Sequence, residues 1–317
     1  MSRRPNTGEC ALIAIFRPRS YRNSPNSKEH TLRLPTFLGN DIVHWSGPDA
    51  REKRPESAHS KRFLDRILDS GEHTQHDRLM SLCDGLDLTA AHNRDEAALW
   101  SRALWALWAA KEATYKAAVK AVPGLGFSPR SIVVTVDPEP YETGASGLVH
   151  SYADLQVGEA RPLARGRAVI GRQWYDIVWE ACGEFVHTVS VGPFNLSGNL
   201  PFDAKEIASL WDGIVHASAL HDTILCGIAG ASQSIRNATE RASSAVRRLA
   251  CNLARTVPGL HLAALEVRRA TGTGTRNGAP VLFDQGHRKA LYDIDLSLSH
   301  DGPWSAAAVL NRSPVRP

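Results

Sequence analysis

The sequence predicts an α+β protein organised as a pseudo-dimer, two similar α+β units that each set a long helix against antiparallel strands. Three observations carry that expectation. The stretch Ala97 to Ala121 has the apolar spacing of one long amphipathic helix, and strand patterns follow it at 131–136, 168–170, 175–179 and 184–191. A second helix pattern, Ser234 to Thr256, is followed by further strand patterns at Leu262 to Arg269, Ile294 to Ser299 and Trp304 to Leu310. Tyr175 to Ser190 can also be laid on Asp293 to Val309 as two strands about a tight turn, with Gly183 matching Gly302 and Ala181 opposite His300.

The 317 residues, 43% hydrophobic, are enough for a sizeable core and about two domains. The expected division is an N-terminal strand and arm at 1–36, a first α+β half at 37–195 and a second at 196–317. A formal net charge of +4 is mild and its acidic residues are dispersed, so it favours an acidic or phosphate-rich partner without forming a nucleic-acid arm. The cysteines, Cys10, Cys83, Cys182, Cys226 and Cys251, are odd in number and form no C-x-x-C pair, which fits a reducing, cytoplasmic setting. The apolar run Ala11 to Phe16 is too short for a signal peptide core, and no window approaches a membrane span.

In chain order, Ala11 to Phe16 reads as an edge strand and the polar stretch Arg17 to His30 as a loop. Thr36 to His44 is a short apolar strand holding Gly39 and Asp41, and a Pro- and charge-rich segment follows at Ser46 to Ser60. Lys61 to Asp69 has helical spacing and Ser70-Gly71-Glu72 reads as its stop. The central helix takes Asn93 as N-cap, Glu96 as the capping-box partner and Pro123-Gly124 as its end, with Trp100, Leu104, Trp108, Tyr115 and Val119 as the apolar stripe. Gly192-Pro193 and Ser197-Gly198 mark a junction, after which polar and helical segments are expected. The glycine-rich stretch Thr271 to Gly278 lacks G-K-[ST] and a following helix, so it reads as a hairpin turn.

Several residues stand out chemically. An aspartate between Leu38 and Ile42 is disfavoured in a strand and invites a specific reason such as a cation. On the central helix Lys111, Glu112 and Lys116 sit against the apolar stripe. Glu112 and Lys116, four apart, share a face; by spacing alone they are an ordinary solvated pair. Ser299-His300-Asp301 cannot form a hydrolytic relay, because adjacent strand residues point to opposite faces. The helix carrying Arg236, Arg241, Arg247, Arg248 and Arg255 admits a nucleic-acid reading, but aromatic interleaving is absent and the net charge is modest.

Taken together, Gly39-Asn-Asp41-Ile-Val43 and Trp108-Ala-Ala-Lys111-Glu112-Ala-Thr-Tyr-Lys116 resemble the signature of the 4'-phosphopantetheinyl transferases, a G-x-D-[IV] strand followed by a W-x-x-K-E-[AS]-x-x-K helix. Phe63-Leu-Asp-Arg66-Ile67 occupies the place of the family's F-x-x-R-[IV] helix with its following acidic residue, although an ordinary helix explains those residues equally well. In surfactin-type members the half ending in S-H-S comes first. Here Ser299-His300-Asp301 comes last, so the chain resembles a permuted arrangement or two fused copies of the small holo-acyl-carrier-protein synthase type.

The resemblance implies transfer of 4'-phosphopantetheine from coenzyme A to a serine of an acyl or peptidyl carrier protein, in fatty acid, polyketide or nonribosomal peptide synthesis. It implies Mg2+ held by Asp41 and Glu112, with Val43 where surfactin-type members have a second acid and a water in its place. Glu112 becomes the general base and Lys116 the group at the leaving phosphate. Lys111, Ser299, His300 and Arg241 are implied as coenzyme A contacts, Arg247 or Arg248 being alternatives to Arg241. Carrier-protein contacts are expected among Lys61, Arg62 and Lys120. A fused pair of halves predicts a monomer without nucleic-acid or membrane partners. The alternative is a catalytically inactive member serving as a carrier-protein binding or scaffolding module.

Overall fold

In the computed structural model the central helix runs from Glu96 to Ala121 and lies on an antiparallel five-stranded sheet. The structure describes residues 11–16, 37–45, 65–85, 96–137, 161–195, 223–230, 238–257, 259–270, 278–302 and 304–312. Expectations at Asn93, Lys61 to Leu64 and Thr271 to Asn277 fall outside these.

The elements are β1 (Ala11–Phe16), β2 (Phe37–His44), α1 (His73–Gly85), α2 (Glu96–Ala121), β3 (Ile132–Val136), β4 (Arg161–Ile170), β5 (Gln173–Ala181), β6 (Phe185–Asn195), β7 (Thr223–Gly230), α3 (Ala238–Arg255), β8 (Leu265–Arg269), β9 (Pro280–Asp284), β10 (Lys289–Asp301) and β11 (Trp304–Asn311). The five-stranded sheet has the order β2-β6-β5-β4-β3, and a six-stranded sheet has the order β1-β7-β11-β10-β9-β8. All their pairings are antiparallel, so the protein is α+β. The second core forms where Val246, Leu249 and Leu253 of α3 meet Val267, Leu282, Leu296 and Val309 of the six-stranded sheet.

Several elements depart from the sequence reading. The face of α2 that enters the core is built from Leu99, Ala103, Leu104, Leu107, Ala110, Ala113 and Ala117, whereas Trp100, Trp108, Tyr115 and Val119 are only partly buried. Bulk marks the wrong stripe because the helix must lie close to β2. A Cβ on Gly39 would stand 1.8 Å from the Ala113 carbonyl oxygen and 2.9 Å from the Ala117 nitrogen. Only glycine opposite alanines permits that approach. Each buried leucine contributes about 1.5–3 kcal/mol of apolar burial, but the small residues set the distance.

The helical residues 65–67 end before Ser70, and Ser70–Glu72 is itself a 3-10 turn entered through a capping box, with Asp69 as N-cap and Glu72 reaching back to its backbone, that leads directly into α1. The stretch expected to be polar and helical contains β7, which pairs with β1 and β11. Strands β8 and β9 pair down to Arg269 and Pro280, so the glycine-rich segment joins a hairpin.

The two sheets meet at the edge of β2. Four alternate backbone N–H groups of that strand donate to side chains of β10: Leu38 to Asp295 Oδ2 at 2.6 Å, Asn40 to Ser297 Oγ at 2.8 Å, Ile42 to Ser299 Oγ at 3.3 Å and His44 to Asp301 Oδ2 at 2.8 Å. An edge that could recruit another strand is thereby satisfied by one face of β10. Leu38 and Val189 pack on Ala308 and Leu310 beside this ladder, so Asp41 and Ser299 are held in fixed register.

Candidate active site

At the end of that ladder a cleft of about 480 Å³ is lined by Asp41, Val43, Trp105, Trp108, Glu112, Lys116, Leu298, Ser299, His300 and Asp301. Strand β2 supplies Asp41 and the adjacent face of α2 supplies Glu112 and Lys116. The ladder brings in β10, whose tight turn to β11 is closed by Gly302 at a φ of +54°.

Asp41 is 4% exposed, and its Oδ1 accepts from Lys116 Nζ at 2.8 Å and from Ser299 Oγ at 2.6 Å. Lys116 Nζ also donates to the Asn40 carbonyl at 3.1 Å and Ser299 Oγ at 3.3 Å, and lies 3.3 Å from Glu112 Oε1. The other oxygen, Glu112 Oε2, accepts from the Trp108 indole N–H at 3.1 Å. Burial pushes the Asp41 carboxyl above its usual range, while the adjacent Lys116 opposes that rise. Burial lowers Lys116, but the carboxylates of Asp41 and Glu112 outweigh it, so the ammonium holds its proton more tightly than a free lysine. The Lys116 ammonium thus offsets part of what burial costs the Asp41 carboxylate.

The donor set suits a hard divalent cation that completes its shell with water and phosphate oxygens. Two carboxylates converge on one cationic group, and Asp41 Oδ2 takes no hydrogen bond from any described residue. Directly across from Asp41 on β6, the buried Thr188 hydroxyl has no hydrogen-bond partner among the described residues. No group of three or more His, Cys, Asp or Glu side chains suited to a metal occurs among the described residues.

Residues 37–152 match the model of the 4'-phosphopantetheinyl transferase superfamily. Over that segment the chain is similar to this superfamily. The superfamily match takes in Asp41, Glu112 and Lys116 and ends well before Ser299 and His300, which the fold returns to the same cleft. No curated protein and no solved structure matches the chain. No helix among the described residues is long and apolar enough to cross a membrane.

Of the residues singled out in the sequence, Asp41, Glu112, Lys116, Ser299 and His300 share the cleft. The exposed imidazole of His300 makes no hydrogen bond to a described residue, whereas Ser299 is committed to Asp41 and the β2 edge. Lys111 does not reach the cleft. Its side chain is fully buried on another face of α2, with Nζ 2.6 Å from Glu72 Oε2 and donating to the carbonyls of Ile67 at 2.7 Å and Pro129 at 3.1 Å. This overturns the expected phosphate contact, since all three ammonium protons are used internally. Lys120 is likewise internal, bound to Asp295 Oδ1 at 2.9 Å and to the Leu38 and Leu296 carbonyls at 2.6 Å, and is no carrier-docking residue. Arg241 lies in α3, its side chain outside the described residues.

The sequence reading missed Trp108 as a donor to Glu112 and Glu72 as the anchor of Lys111. The four-residue spacing from Trp108 to Glu112 was a usable signal for the first. For the second, the signal was the acidic residue that follows Phe63-Leu-Asp-Arg-Ile67.

Proposed function

We propose that this protein transfers the 4'-phosphopantetheine group of coenzyme A to a serine hydroxyl of an acyl or peptidyl carrier protein, with Mg2+, releasing adenosine 3',5'-bisphosphate. The observation that supports the reading is the convergence of Asp41, Glu112, Lys116 and His300 on one cleft, within which Asp41 and Glu112 flank a single ammonium.

In this reading the serine oxygen forms a bond to the phosphorus that carries the pantetheine arm. The bond from that phosphorus to the bridging oxygen breaks, and its electron pair leaves with the adenosine bisphosphate. Glu112, directly or through water, takes the serine proton, and Trp108 holds the carboxylate toward the cleft through its indole N–H. Lys116 neutralises or protonates the departing phosphate. Asp41 and Glu112 would hold the magnesium, which when bound neutralises the pyrophosphate and makes the serine hydroxyl easier to deprotonate. His300 takes the nucleotide end at its 3'-phosphate, with Arg241 or the exposed Arg247 or Arg248 of α3 as a second contact. Ser299 serves by positioning Asp41. The two halves, read as a pseudo-dimer, complete this site within one chain, so a cytoplasmic monomer is sufficient.

The test is labelling of an apo carrier protein with a coenzyme A derivative bearing a fluorophore on its thiol. Label should pass to the carrier only with Mg2+ and should be lost in Glu112→Gln. Absence of label across acyl and peptidyl carriers, with folded protein, rejects the transferase reading and favours a carrier-binding scaffold.

A further inference from the structure

Lys116 occupies the position between the two carboxylates that a metal ion would need. Its Nζ lies 2.8 Å from Asp41 Oδ1 and 3.3 Å from Glu112 Oε1, and it also meets the Asn40 carbonyl oxygen at 3.1 Å and Ser299 Oγ at 3.3 Å. Four oxygens around one nitrogen resemble the partial oxygen shell of a cation. Three protons saturate the ammonium with these contacts, so in this state it has no donor left for a ligand in the cleft.

We propose that Lys116 is an internal stand-in cation: a divalent metal displaces its ammonium from between Asp41 and Glu112, and that displacement turns the lysine toward the anionic substrate. The inference rests on the transferase reading for the identity of that substrate, but not for the displacement itself.

The physical case has three parts. First, Asp41 is buried, and an isolated buried carboxylate loses its charge or finds a cation. Lys116 meets that requirement in the absence of metal and keeps the two acids close together. Second, a divalent ion held by Asp41 and Glu112 would compete with the ammonium for the same carboxylates, and like charges brought together in a partly buried site repel strongly. The lysine must move or the metal cannot bind. Third, movement is available: the Lys116 side chain is 25% exposed, lines the cleft and ends a flexible four-carbon stem. By contrast Lys120, one turn further along α2, is only 7% exposed and is tied to two backbone carbonyls and Asp295, so it has no such freedom.

Charge bookkeeping gives the consequence. Asp41, Glu112 and Lys116 together carry a formal charge of −1, which repels a pyrophosphate. Adding a divalent ion makes the group +1, with the lysine turned outward. Metal and coenzyme A then bind cooperatively, since an anion that draws Lys116 outward also removes the competitor of the metal.

The experiment is titration of Mn2+, a spectroscopic probe for the site, into coenzyme A-free protein followed by electron paramagnetic resonance. Lys116→Met, which keeps the apolar stem and removes the charge, should bind Mn2+ at least tenfold more tightly than the wild type, and Asp41→Asn in that background should abolish the gain. Equal or weaker binding by Lys116→Met, including no binding by either protein, overturns the proposal. A second measurement uses the wild type and does not depend on the variant folding: acetylation of Lys116 by acetic anhydride, read by peptide mass spectrometry, should accelerate several-fold on adding Mg2+ relative to Lys120. An unchanged or slower rate also overturns it. Transfer to a carrier protein is scored separately. Wild type that modifies the carrier but shows neither effect loses the displacement and keeps the transferase function; wild type that shows both effects but modifies no carrier does the reverse.

Discussion

Replacing Gly39 with alanine places a methyl carbon where the backbone of α2 already lies. The new Cβ would be 1.8 Å from the Ala113 oxygen, 2.8 Å from the Ala113 carbonyl carbon and 2.9 Å from the Ala117 nitrogen, all backbone atoms that cannot rotate aside. An ordinary contact of at least 3.4 Å requires α2 to retreat from β2 by about 1.6 Å along that line. Because Glu112 flanks Ala113 and Lys116 flanks Ala117, the charged residues retreat with the helix. The Lys116–Asp41 contact of 2.8 Å would be stretched, and the shorter Glu112 would be carried away from Asp41. Overpacking of this kind costs about 1–3 kcal/mol, and a 1 Å misplacement of reacting groups can cost about a hundredfold in rate. Urea unfolding followed by circular dichroism, alongside the carrier-labelling rate, reads both. A Gly39→Ala protein within about 0.5 kcal/mol of wild type and equally active would refute the account of how the strand and helix set the site.

Other outcomes follow from the same geometry. Lys111→Met should destabilise the protein by about 3–5 kcal/mol by leaving Glu72 buried without its cation, and adding Glu72→Gln should recover part of that loss in a double-mutant cycle; additive losses in urea unfolding would contradict the pairing. His300→Ala should raise the KM for coenzyme A with little change in kcat, and a selective fall in kcat would count against a binding role. Burial pushes the fully buried Cys83 thiol up to about 12 from 9.0, so it should resist iodoacetamide in folded protein at pH 9 and react on unfolding. Because the folded value lies above the unfolded one, the buried thiol's stabilisation is complete below pH 9 and lost as pH climbs toward 12.

The residues that line the candidate site were easier to single out in the sequence than the packing that holds them. Asp41 was legible because a carboxylate in an apolar strand demands a partner, whereas Glu112 and Lys116, whose four-residue spacing alone reads as a solvated pair, stood out through the resemblance. Ser299 and His300 were found through a motif, while the reason they meet Asp41, the side-chain ladder on β2, depends on residues 257 positions apart and leaves no local pattern. Lys111 and Lys120 were misread for a related reason. A lysine reads as solvent-facing unless its partners are known, and theirs are Glu72 and Asp295 from distant segments. The core stripe of α2 was misassigned because hydrophobic periodicity weighs tryptophan above alanine, whereas Gly39 makes small residues the ones that face β2. Strand β7 and helix α1 escaped notice, the first lying in a stretch read as polar and helical and the second starting from a turn that reads only as the end of the preceding helix.

The most direct test of the central claim is the intact mass of an apo carrier protein after incubation with this protein, coenzyme A and Mg2+, beside Glu112→Gln and a magnesium-free control. The account predicts a gain of one phosphopantetheine group per carrier with the wild type and none in either control. An unmodified carrier with folded wild type, or full modification by Glu112→Gln, would contradict it.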